Sequence, residues 1–453
     1  MKKAIIFVCL VTIILTSFPV MVSNAAFKGV LEKVKTHADI ILMVNLEDGN
    51  SIIEKNADKK SMPASFVKIT TAILVLENCP DLEEPVTVST NAVRVLANTY
   101  SSVANLKPGE ILSVQDLLYC LLVSSANDAA TVLAEHVAGD IESFVGLMNE
   151  KVRALGCEST NFINPHGLDN PEQYTTARDM VTIVRHALTF PLFEEITSTF
   201  RYTVPATNKS RERKLISTVS FMNPGIKDYY YEYATGIKTG TTTGAGRCVV
   251  SKASKDGYSY LIVVMNAPMV NIDSDPILEN TAFTDSKALF EWTFKNIRLR
   301  TVAEAGRVVG EIPVKLSLKT DHVQLVPEKE FAALVPIGEG AESVLVEIVP
   351  ESIPEKLEAP VKKGQIIGKA RVLYAEEEVA IFNLVANEDI DRSFLLYLGS
   401  LIKKLASTFV FRLIMLIVAL CTGFFSLLLF LRWRNKKKRR KIRVLTYRDI
   451  SRK

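Results

Sequence analysis

Apolar and polar residues follow two patterns along the chain, and the change between them falls near Arg298. Before that point, segments with apolar residues at helical spacing lie between short apolar runs rich in β-forming residues. The predicted helices are the stretch FVKITTAILVLE that Pro63-Ala64-Ser65 opens, Ser113–Val123, about Ala129–Val137, Thr176–Leu188 and Ser286–Phe294. The predicted hairpins are Ala38–Asn45 with Ser51–Glu54, and Gly246–Ser254 with Tyr258–Met265. Strands at both ends with helices between them predict an α/β (α+β) sandwich with an antiparallel sheet and flanking helices.

A second, small all-β domain is predicted over residues 298–386. Short β-type runs follow one another there, separated by Gly and Pro. The runs are Arg307–Ile312, Val314–Leu318, Val323–Val326, Ala332–Val335, Ser343–Ile348, Gly364–Leu373 and Glu378–Leu384. The first domain is therefore expected to occupy residues 26–297.

The C-terminal region predicts attachment to a membrane. Residues 387–408 have the spacing of a juxtamembrane helix. Residues 409–432 are expected to form a transmembrane helix because there is no charged residue from Leu413 to Leu431. An amphipathic helix lying in the interface is the alternative. It would need a polar face, and only Thr422 and Ser426 are polar in this run.

The two ends of the chain predict its topology. Residues 1–25 combine Lys2 and Lys3 with an apolar stretch and small residues before Ala25, which is the pattern of a secretory signal peptide. An uncleaved N-terminal anchor is the alternative. Residues 433–453 form a basic tail, and Lys and Arg beside a span favour the cytoplasmic side. We therefore expect a single-pass cell-membrane protein with its folded domains outside the cytoplasm.

Charge and cysteine content narrow the possible partners. The formal net charge of +4 depends on the basic tail, so the charge balance gives no support to a nucleic-acid partner. Four cysteines lie in the part expected to be exported: Cys79, Cys120, Cys157 and Cys248. Their spacings match no metal-binding pattern, and we expect buried free thiols. No metal and no other cofactor is predicted.

Three short motifs carry candidate chemistry. In chain order they are Ser65-Phe66-Val67-Lys68, Ser125-Ala126-Asn127 and Lys238-Thr239-Gly240. Each motif alone is weak, since Ser400-Leu401-Ile402-Lys403 also has the form S-x-x-K. The order and spacing of the full set are typical of penicillin-binding proteins and class A β-lactamases.

The residue types fit acyl transfer to a serine. A serine at a helix start and a lysine three residues later share one face of the helix, so the Lys68 amine can reach the Ser65 hydroxyl. Burial and a second cation, Lys238, would lower the pKa of Lys68 and let it act as the base. Ser125 could then pass the proton to the leaving amine, while Asn127 binds the substrate backbone and Lys68. Backbone N–H groups at the helix start and on the strand could hold the oxyanion.

The chain resembles the low-molecular-mass penicillin-binding proteins, which are serine D-alanyl-D-alanine carboxypeptidases. Further segments that carry the resemblance are Leu106–Glu110, Ser125–Ala130, Thr160–Asp169, Thr176–Met180 and Gly236–Thr241. The similarity covers roughly Ala38 to Phe294, and a trailing β domain and membrane anchor also fit the family. The resemblance implies a DD-peptidase/β-lactamase-like fold and removal of the terminal D-alanine from peptidoglycan stem pentapeptides, with β-lactams as inhibitors.

The resemblance also implies roles for individual residues. Ser65 would be the acylated nucleophile and Lys68 the base, with Ser125 as the third catalytic residue. The substrate-binding residues would be Asn127, Lys238, Thr239, Gly240 and Thr241, with the substrate carboxylate on Lys238 and Thr239. The N–H groups of Ser65 and Thr241 would form the oxyanion hole.

Some positions depart from the family or stay open. Ala126 stands where the family more often has glycine. Arg211 or Arg213 is a candidate for carboxylate binding. His166 and Asp169 lie in a segment that resembles the family, and we expect them to be structural.

Three other functions remain possible at this level. A β-lactamase shares the motifs but needs a glutamate-activated water, and the acids between Gly156 and Asn170 lie outside the expected E-x-x-L-N setting. A D,D-endopeptidase or transpeptidase could use the same fold, although the trailing β domain favours the carboxypeptidase. A catalytically silent wall-binding protein is the third, and the intact serine and lysine set argues against it.

Overall fold

The structure is a computed structural model that describes residues 30–270, 278–336, 344–374 and 377–450. Two compact units divide the chain: Met1–Val302 with Ala332–Glu347 and Arg371–Ile381, and Ala303–Phe331 with Ile348–Ala370 and Phe382–Lys453. The signal peptide expected over residues 1–25 lies outside the described residues. It stays a prediction, as do the domain boundaries expected from the sequence.

The helices and strands of the described residues follow one another as mixed elements first and as strands later. The helices are α1 Val30–Lys33, α2 Val67–Asn78, α3 Thr90–Arg94, α4 Val114–Leu122, α5 Asn127–Ala138, α6 Ile141–Ala154, α7 Ala177–Ala187, α8 Pro191–Ser198, α9 Thr281–Asn296, α10 Phe394–Ser407 and α11 Phe409–Ile450. The strands up to residue 280 are β1 Ile40–Asn45, β2 Ser51–Lys55, β3 Pro85–Thr87, β4 Ile111–Ser113, β5 Arg201–Val204, β6 Arg213–Ile216, β7 Ala234–Thr242, β8 Gly246–Lys255, β9 Tyr258–Ala267, β10 Met269–Val270 and β11 Glu279–Asn280. The later strands are β12 Ile297–Ala303, β13 Gly310–Lys315, β14 His322–Pro327, β15 Phe331–Pro336, β16 Val344–Ile348, β17 Leu357–Glu358, β18 Ile366–Tyr374 and β19 Glu377–Ala386.

The first unit is built on a five-stranded sheet in the order β2-β1-β9-β8-β7. Every neighbouring pair in it is antiparallel, which confirms the predicted sheet and both predicted hairpins. Strands β1, β8 and β9 are largely buried because helices cover the sheet. Strand β7 was not predicted as a separate element. It forms the edge of this sheet and carries the Lys238-Thr239-Gly240 motif.

Helix α2 lies in the centre of the first unit. Every residue from Val67 to Val75 is buried, as expected for a helix that is apolar around its whole circumference. It packs against α4, α5, α6 and α7, and its burial includes Lys68. A charged side chain in such a position is costly unless its charge is removed or compensated.

Two helix starts show how local sequence sets the element boundaries. The side chain of Ser113 accepts a hydrogen bond from the backbone N–H of Asp116 at 3.1 Å, which is the predicted cap of α4. Thr176 caps α7 in the same way, accepting from the N–H of Asp179 at 3.1 Å. Cys79, Cys120, Cys157 and Cys248 are buried free thiols, as predicted.

Several sequence predictions were wrong in detail. Helices α3, α6 and α8 were missed because they are short or strongly polar on one face. The two strands predicted for Arg307–Ile312 and Val314–Leu318 are one strand, β13, which ends before Leu316, a residue with φ of +66°. The helix expected from residue 387 begins at Phe394, where the side chain of Ser393 caps it, because the preceding segment is extended and Ile390 bridges to Val361.

In the second unit, β13 pairs with β14 in antiparallel and with β17 in parallel fashion. Strand β14 continues antiparallel to the end of β19, with Leu325 opposite Ala386. Among the described residues from 297 to 393 the regular elements are strands and one short 3₁₀ turn, Pro350–Ser352. This confirms the second all-β domain.

One helix in the described part of the chain is long and apolar enough to cross a membrane, Phe409–Lys437. Its large apolar side chains are exposed. The helix α11 continues to Ile450, so the predicted end of the span near residue 432 coincides with a change of composition, not with the end of the helix.

Candidate active site

Ser65 lies in a tight turn directly before helix α2. Residues Ala64–Phe66 form a 3₁₀ turn, and Ala64 has φ of +47°, a conformation that is strained for a residue with a side chain. Gly167 packs onto this turn so closely that a Cβ on it would lie 1.8 Å from the carbonyl oxygen of Ala64. Only glycine fits there, so the chain around residue 167 holds the turn that presents Ser65.

Lys68 reaches the Ser65 hydroxyl as the spacing predicted. Its Nζ lies 2.9 Å from Ser65 Oγ and 2.6 Å from the carbonyl oxygen of His166. The side chain is completely buried. Burial, and next the positive charge of Lys238, hold the pKa of Lys68 well below its ordinary value. The amine is therefore poised to be neutral and to take a proton.

Lys238 is also completely buried, and it projects from the edge strand β7. Its Nζ donates to the carbonyl oxygen of Thr239 at 3.0 Å. Burial lowers the pKa of Lys238 to about 7. Gly240 lets β7 approach the serine turn: a Cβ on it would lie 2.9 Å from Ala64 Cβ and 3.3 Å from Ser65 N.

The Ser125-Ala126-Asn127 segment leads into helix α5, which packs against α2. Ser125 has φ of +60° and is nearly buried. The backbone N–H of Asn127 donates to the carbonyl oxygen of Ser102 at 2.8 Å, and that of Ala126 donates to the carbonyl oxygen of Cys120 at 3.0 Å. The segment is thus held by backbone bonds on both sides.

Thr218 joins this segment to strand β7. Its backbone N–H donates to the carbonyl oxygen of Val123 at 3.2 Å, and its hydroxyl accepts from Thr239 Oγ1 at 2.6 Å. The buried carboxylate of Asp128 accepts from the N–H groups of Ala104 and Leu106. The S-x-N loop is therefore positioned from β7 on one side and from the segment before Leu106 on the other.

The structure brings Ser65, Lys68, Lys238 and Gly240 together directly. It places Ser125 just before helix α5 and Asn127 at its first residue, and this helix packs against α2. The hydrogen bond expected between Asn127 and Lys68 is not among those of the described residues; the Lys68 amine lies against Ser65 and His166 instead. Thr241 is exposed near the end of β7.

Two other sequence hypotheses concern neighbouring residues. Arg213, a candidate for carboxylate binding, is paired with Glu110: its Nη2 donates to both carboxylate oxygens, at 2.6 and 2.7 Å. His166 and Asp169 hold the fold: His166 Nδ1 accepts from the N–H of Leu168, and Asp169 Oδ2 accepts from the N–H of Gly244. Burial, and next the charge of Lys68, lower the pKa of His166 to about 3, so its ring is neutral.

Sequence reasoning missed the His166 carbonyl, Gly167 and Thr218. None of them has a motif of its own, and the His166 contribution comes from the backbone. Across the described ranges, no three His, Cys, Asp or Glu side chains are grouped as metal ligands would be. The polar groups around Ser65 are amines, hydroxyls and carbonyl oxygens, which can activate a serine for acyl transfer.

Comparison with known proteins agrees with this chemistry. The sequence model of the Peptidase_S11 family, described as D-alanyl-D-alanine carboxypeptidase, matches residues 28–269. The chain belongs to this family. A second model, described as the C-terminal domain of penicillin-binding protein 5, matches residues 298–392.

Relatives of the family resemble the chain over most of its length. The D-alanyl-D-alanine carboxypeptidase DacC of Escherichia coli K12 is 31% identical over 72% of this chain and 78% of its own length. DacA of Haemophilus influenzae is 30% identical over 83% of this chain and 90% of its own length. The crystal structure of penicillin-binding protein 5 from Haemophilus influenzae has a TM-score of 0.57 at 28% identity, covering 79% of this chain and 98% of the other.

Membership in the D-alanyl-D-alanine carboxypeptidase family confirms the predicted fold and class of enzyme. The protein is a serine-type carboxypeptidase of the penicillin-binding type with a second all-β domain. The β-lactamase and the silent wall-binding protein are the alternatives that this membership sets aside.

Proposed function

We propose that the enzyme removes the terminal D-alanine from peptidoglycan stem pentapeptides, and that Ser65, Lys68 and Ser125 carry the reaction. The observation that supports these roles most directly is the 2.9 Å distance from the buried Lys68 amine to Ser65 Oγ. The strained turn around Ala64 holds Ser65 just before α2, within reach of the Lys68 amine.

In the first half of the reaction, neutral Lys68 takes the proton of Ser65 as its oxygen attacks the carbonyl carbon of the penultimate D-alanine. The N–H groups of Ser65 and Thr241 stabilise the oxyanion. The tetrahedral intermediate collapses with cleavage of the peptide bond. The proton held by Lys68 passes through the Ser125 hydroxyl to the leaving nitrogen, and D-alanine departs.

In the second half, a water molecule attacks the ester on Ser65 and gives a proton to Lys68. The bond to Ser65 Oγ breaks, the serine recovers its proton, and the shortened stem peptide leaves. Asn127, Lys238, Thr239 and Gly240 bind the substrate along the edge of β7. A β-lactam acylates Ser65 in the same way but blocks the water reaction.

The enzyme acts outside the cytoplasm, attached by residues 409–432. Residues 1–25 direct export, and the basic residues 433–453 stay on the cytoplasmic side. In chain order the all-β domain comes between the catalytic domain and the anchor. The apolar character of Phe409–Lys437 supports this anchor.

The test is labelling of the full-length protein with a fluorescent penicillin, together with release of D-alanine from a stem pentapeptide. We expect both for the wild type and neither for Ser65→Ala. Ser400→Ala is the matched control, because Ser400 belongs to the other S-x-x-K sequence, and it should label fully. Labelling of Ser65→Ala at the wild-type rate would contradict the assignment of the nucleophile.

A further inference from the structure

Residues 95–106 connect helix α3 to the loop before β4, and their backbone has an unusual conformation. Three residues that are not glycine have positive φ angles: Asn98 at +63°, Tyr100 at +49° and Asn105 at +57°. Asparagine tolerates this left-handed conformation because its short polar side chain can bond to the nearby backbone. A bulky residue does not, so Tyr100 is the strained position of this segment.

The strain at Tyr100 is not offset by packing of its side chain. Tyr100 is 100% exposed, whereas Leu96, Ala104 and Leu106 of the same segment are buried. An aromatic ring stabilises a fold by burying its large apolar surface, and a fully exposed ring lacks this benefit. Strained residues of this kind cluster at sites that bind or react. The position of the ring therefore points to a ligand and not to the core.

The residues that follow the strained position are fastened to the S-x-N loop. The carbonyl oxygen of Ser102 accepts a hydrogen bond from the backbone N–H of Asn127 at 2.8 Å. The buried carboxylate of Asp128 accepts from the N–H groups of Ala104 and Leu106, at 2.8 and 3.0 Å. These three hydrogen bonds hold the segment against the start of helix α5, which carries part of the candidate active site.

Tyr100 consequently lies at the rim of the substrate site. It is two residues from Ser102, so their Cα atoms are at most about 7.6 Å apart. Ser102 contacts Asn127, to which the proposed function assigns binding of the substrate backbone. The hydroxyls of Thr99 and Ser101, on either side of Tyr100, bond to each other at 2.8 Å and tighten the turn. A firmly held backbone thus presents an aromatic ring beside the cleft.

The chemistry of the substrate indicates which part of it the ring contacts. The two D-alanines have methyl side chains, which are too short to extend from the cleft to its rim. In a stem peptide with a diamino acid as its third residue, the residue before the D-alanines has an aliphatic side chain that ends in an amine. A tyrosine ring suits this side chain, since its face packs against methylene groups and attracts a cation.

We propose that Tyr100 contacts the side chain of the third stem-peptide residue and makes the enzyme prefer a long side chain at that position. This proposal rests on the function proposed above and adds a specificity-determining residue to it. The strained backbone holds the ring at the rim of the site, where it is available to the substrate.

The first test compares two substrates on the full-length protein in detergent micelles. Nα-acetyl-L-lysyl-D-alanyl-D-alanine has a long side chain at the third position, and acetyl-L-alanyl-D-alanyl-D-alanine has a methyl group there. Tyr100→Ala should lower kcat/KM for the lysyl substrate about 3- to 10-fold, the effect of losing one aromatic contact, and change the alanyl substrate less than about twofold. Tyr100→Phe should keep the wild-type preference because the ring remains.

The second test separates this role from a structural one. Tyr100→Gly removes the ring and also relieves the strain, because glycine adopts positive φ without a steric cost. We expect this variant to unfold at the same temperature as the wild type or a higher one, and to lose the preference for the lysyl substrate. Tyr230→Ala is the control: Tyr230 is 36% exposed and precedes β7, and the variant should keep the wild-type ratio of the two kcat/KM values.

Two results would overturn the proposal. One is a Tyr100→Ala enzyme with the same ratio of kcat/KM for the two substrates as the wild type. The other is a Tyr100→Gly protein that unfolds at a lower temperature and loses activity equally on both substrates, because the tyrosine would then be structural. If the wild type releases D-alanine from neither substrate, the proposed function itself is wrong, which is a separate outcome.

Discussion

The first unit contains two buried clusters of charge that solve the same physical problem in opposite ways. In one, Glu110 is completely buried and Arg213 is 12% exposed, and the Nη2 of Arg213 forms an ion pair with the Glu110 carboxylate. In the other, Lys68 and Lys238 are completely buried and bind only neutral oxygens. The first cluster keeps its charges by pairing them, and the second gives up charge through lowered pKa values.

The Glu110 cluster acts on structure. Its carboxylate also accepts from Thr207 Oγ1 at 2.6 Å and from the backbone N–H of Lys107 at 3.0 Å. It thereby fastens the β5–β6 hairpin to the loop before β4. Every lone pair of the Glu110 carboxylate accepts a hydrogen bond, so the carboxylate is not free to take part in a reaction.

The lysine cluster retains reactivity because its partners are weak. A carboxylate beside Lys68 would keep the amine protonated and useless as a base. The carboxylate of Asp128 does raise the pKa of Lys68, but less than burial and Lys238 lower it. The comparison shows that the cluster without a paired counter-charge is the functional one. Burying its two amines in this way lowers the stability of the fold.

The largest effect is expected when residue 68 can no longer lose its proton, which tests the contrast between the two clusters directly. Lys68→Arg keeps a cation but cannot be a base, since a guanidinium stays protonated. We expect acylation by penicillin to fall by about 10³-fold or more, because general-base catalysis is lost and a bulkier charge is buried. Stopped-flow acylation at pH 7 and 9 measures this.

Lys151→Arg is the matched control, since Lys151 forms a surface ion pair with Glu77. It should acylate at the wild-type rate. The wild type should also acylate faster as pH rises through the lowered pKa of Lys68, whereas Lys68→Arg should show no such rise. A folded Lys68→Arg enzyme with a normal rate would remove Lys68 from the mechanism.

The second largest effect is expected from Glu110→Gln, which leaves Arg213 charged and unpaired. Breaking a buried pair from one side costs about 3 kcal/mol of the free energy of unfolding. Chemical denaturation at pH 7 measures the loss. Asp58→Asn is the control: Asp58 is 72% exposed in its pair with Arg178, and we expect a loss below about 1 kcal/mol.

The pH dependence of the free energy of unfolding tests the Glu110–Arg213 pair in a second way. Burial alone would raise the pKa of Glu110, but hydrogen bonds from Arg213 and Thr207 outweigh it and hold the pKa below its usual value. The pair therefore stabilises the fold fully above the unfolded-state pKa, and this contribution is lost as pH falls through the folded-state pKa. Glu110→Gln should weaken that acid dependence. Equal acid dependence in both proteins would contradict the assignment.

The sequence predicted the reactive residues of the lysine cluster better than it predicted the residues that hold them in position. The S-x-x-K spacing places Lys68 one helical turn from Ser65, which is local geometry and needs no fold. The His166 carbonyl lies 98 residues away, and any residue type can provide a carbonyl. The Glu110–Arg213 pair spans 103 residues without a motif, so nothing in the sequence indicated it.

The need for glycine at a given position was likewise not predictable from local sequence. Gly167 is required because the Ala64 carbonyl oxygen would overlap a Cβ there, and this contact forms only when two distant segments meet. The strands and hairpins of the sheet were predictable since alternation and turn residues are local signals. Strand β7 was missed because Thr235, Gly236, Thr239 and Gly240 dilute its apolar pattern.

The smallest effect, and the one with the opposite sign, is expected from Lys238→Met. Burial lowers the pKa of Lys238 from 10.5 to about 7, so the unfolded chain binds more protons between these values. The wild type therefore becomes more stable as pH rises through that window. Methionine removes the penalty, and we expect about 1–2 kcal/mol of added stability at pH 7.

This gain in stability should shrink toward pH 10. Acylation of the Lys238→Met protein by penicillin should stay strongly reduced, because Lys68 loses the neighbouring charge that helps to lower its pKa. Denaturation at pH 7 and pH 9.5 measures both ends of the window. Lys252→Met is the control on the same sheet: Lys252 pairs with Glu194 at 2.5 Å, and its removal should not stabilise the fold. A destabilised Lys238→Met protein would mean that the buried amine is compensated, and the contrast between the two clusters would then fail.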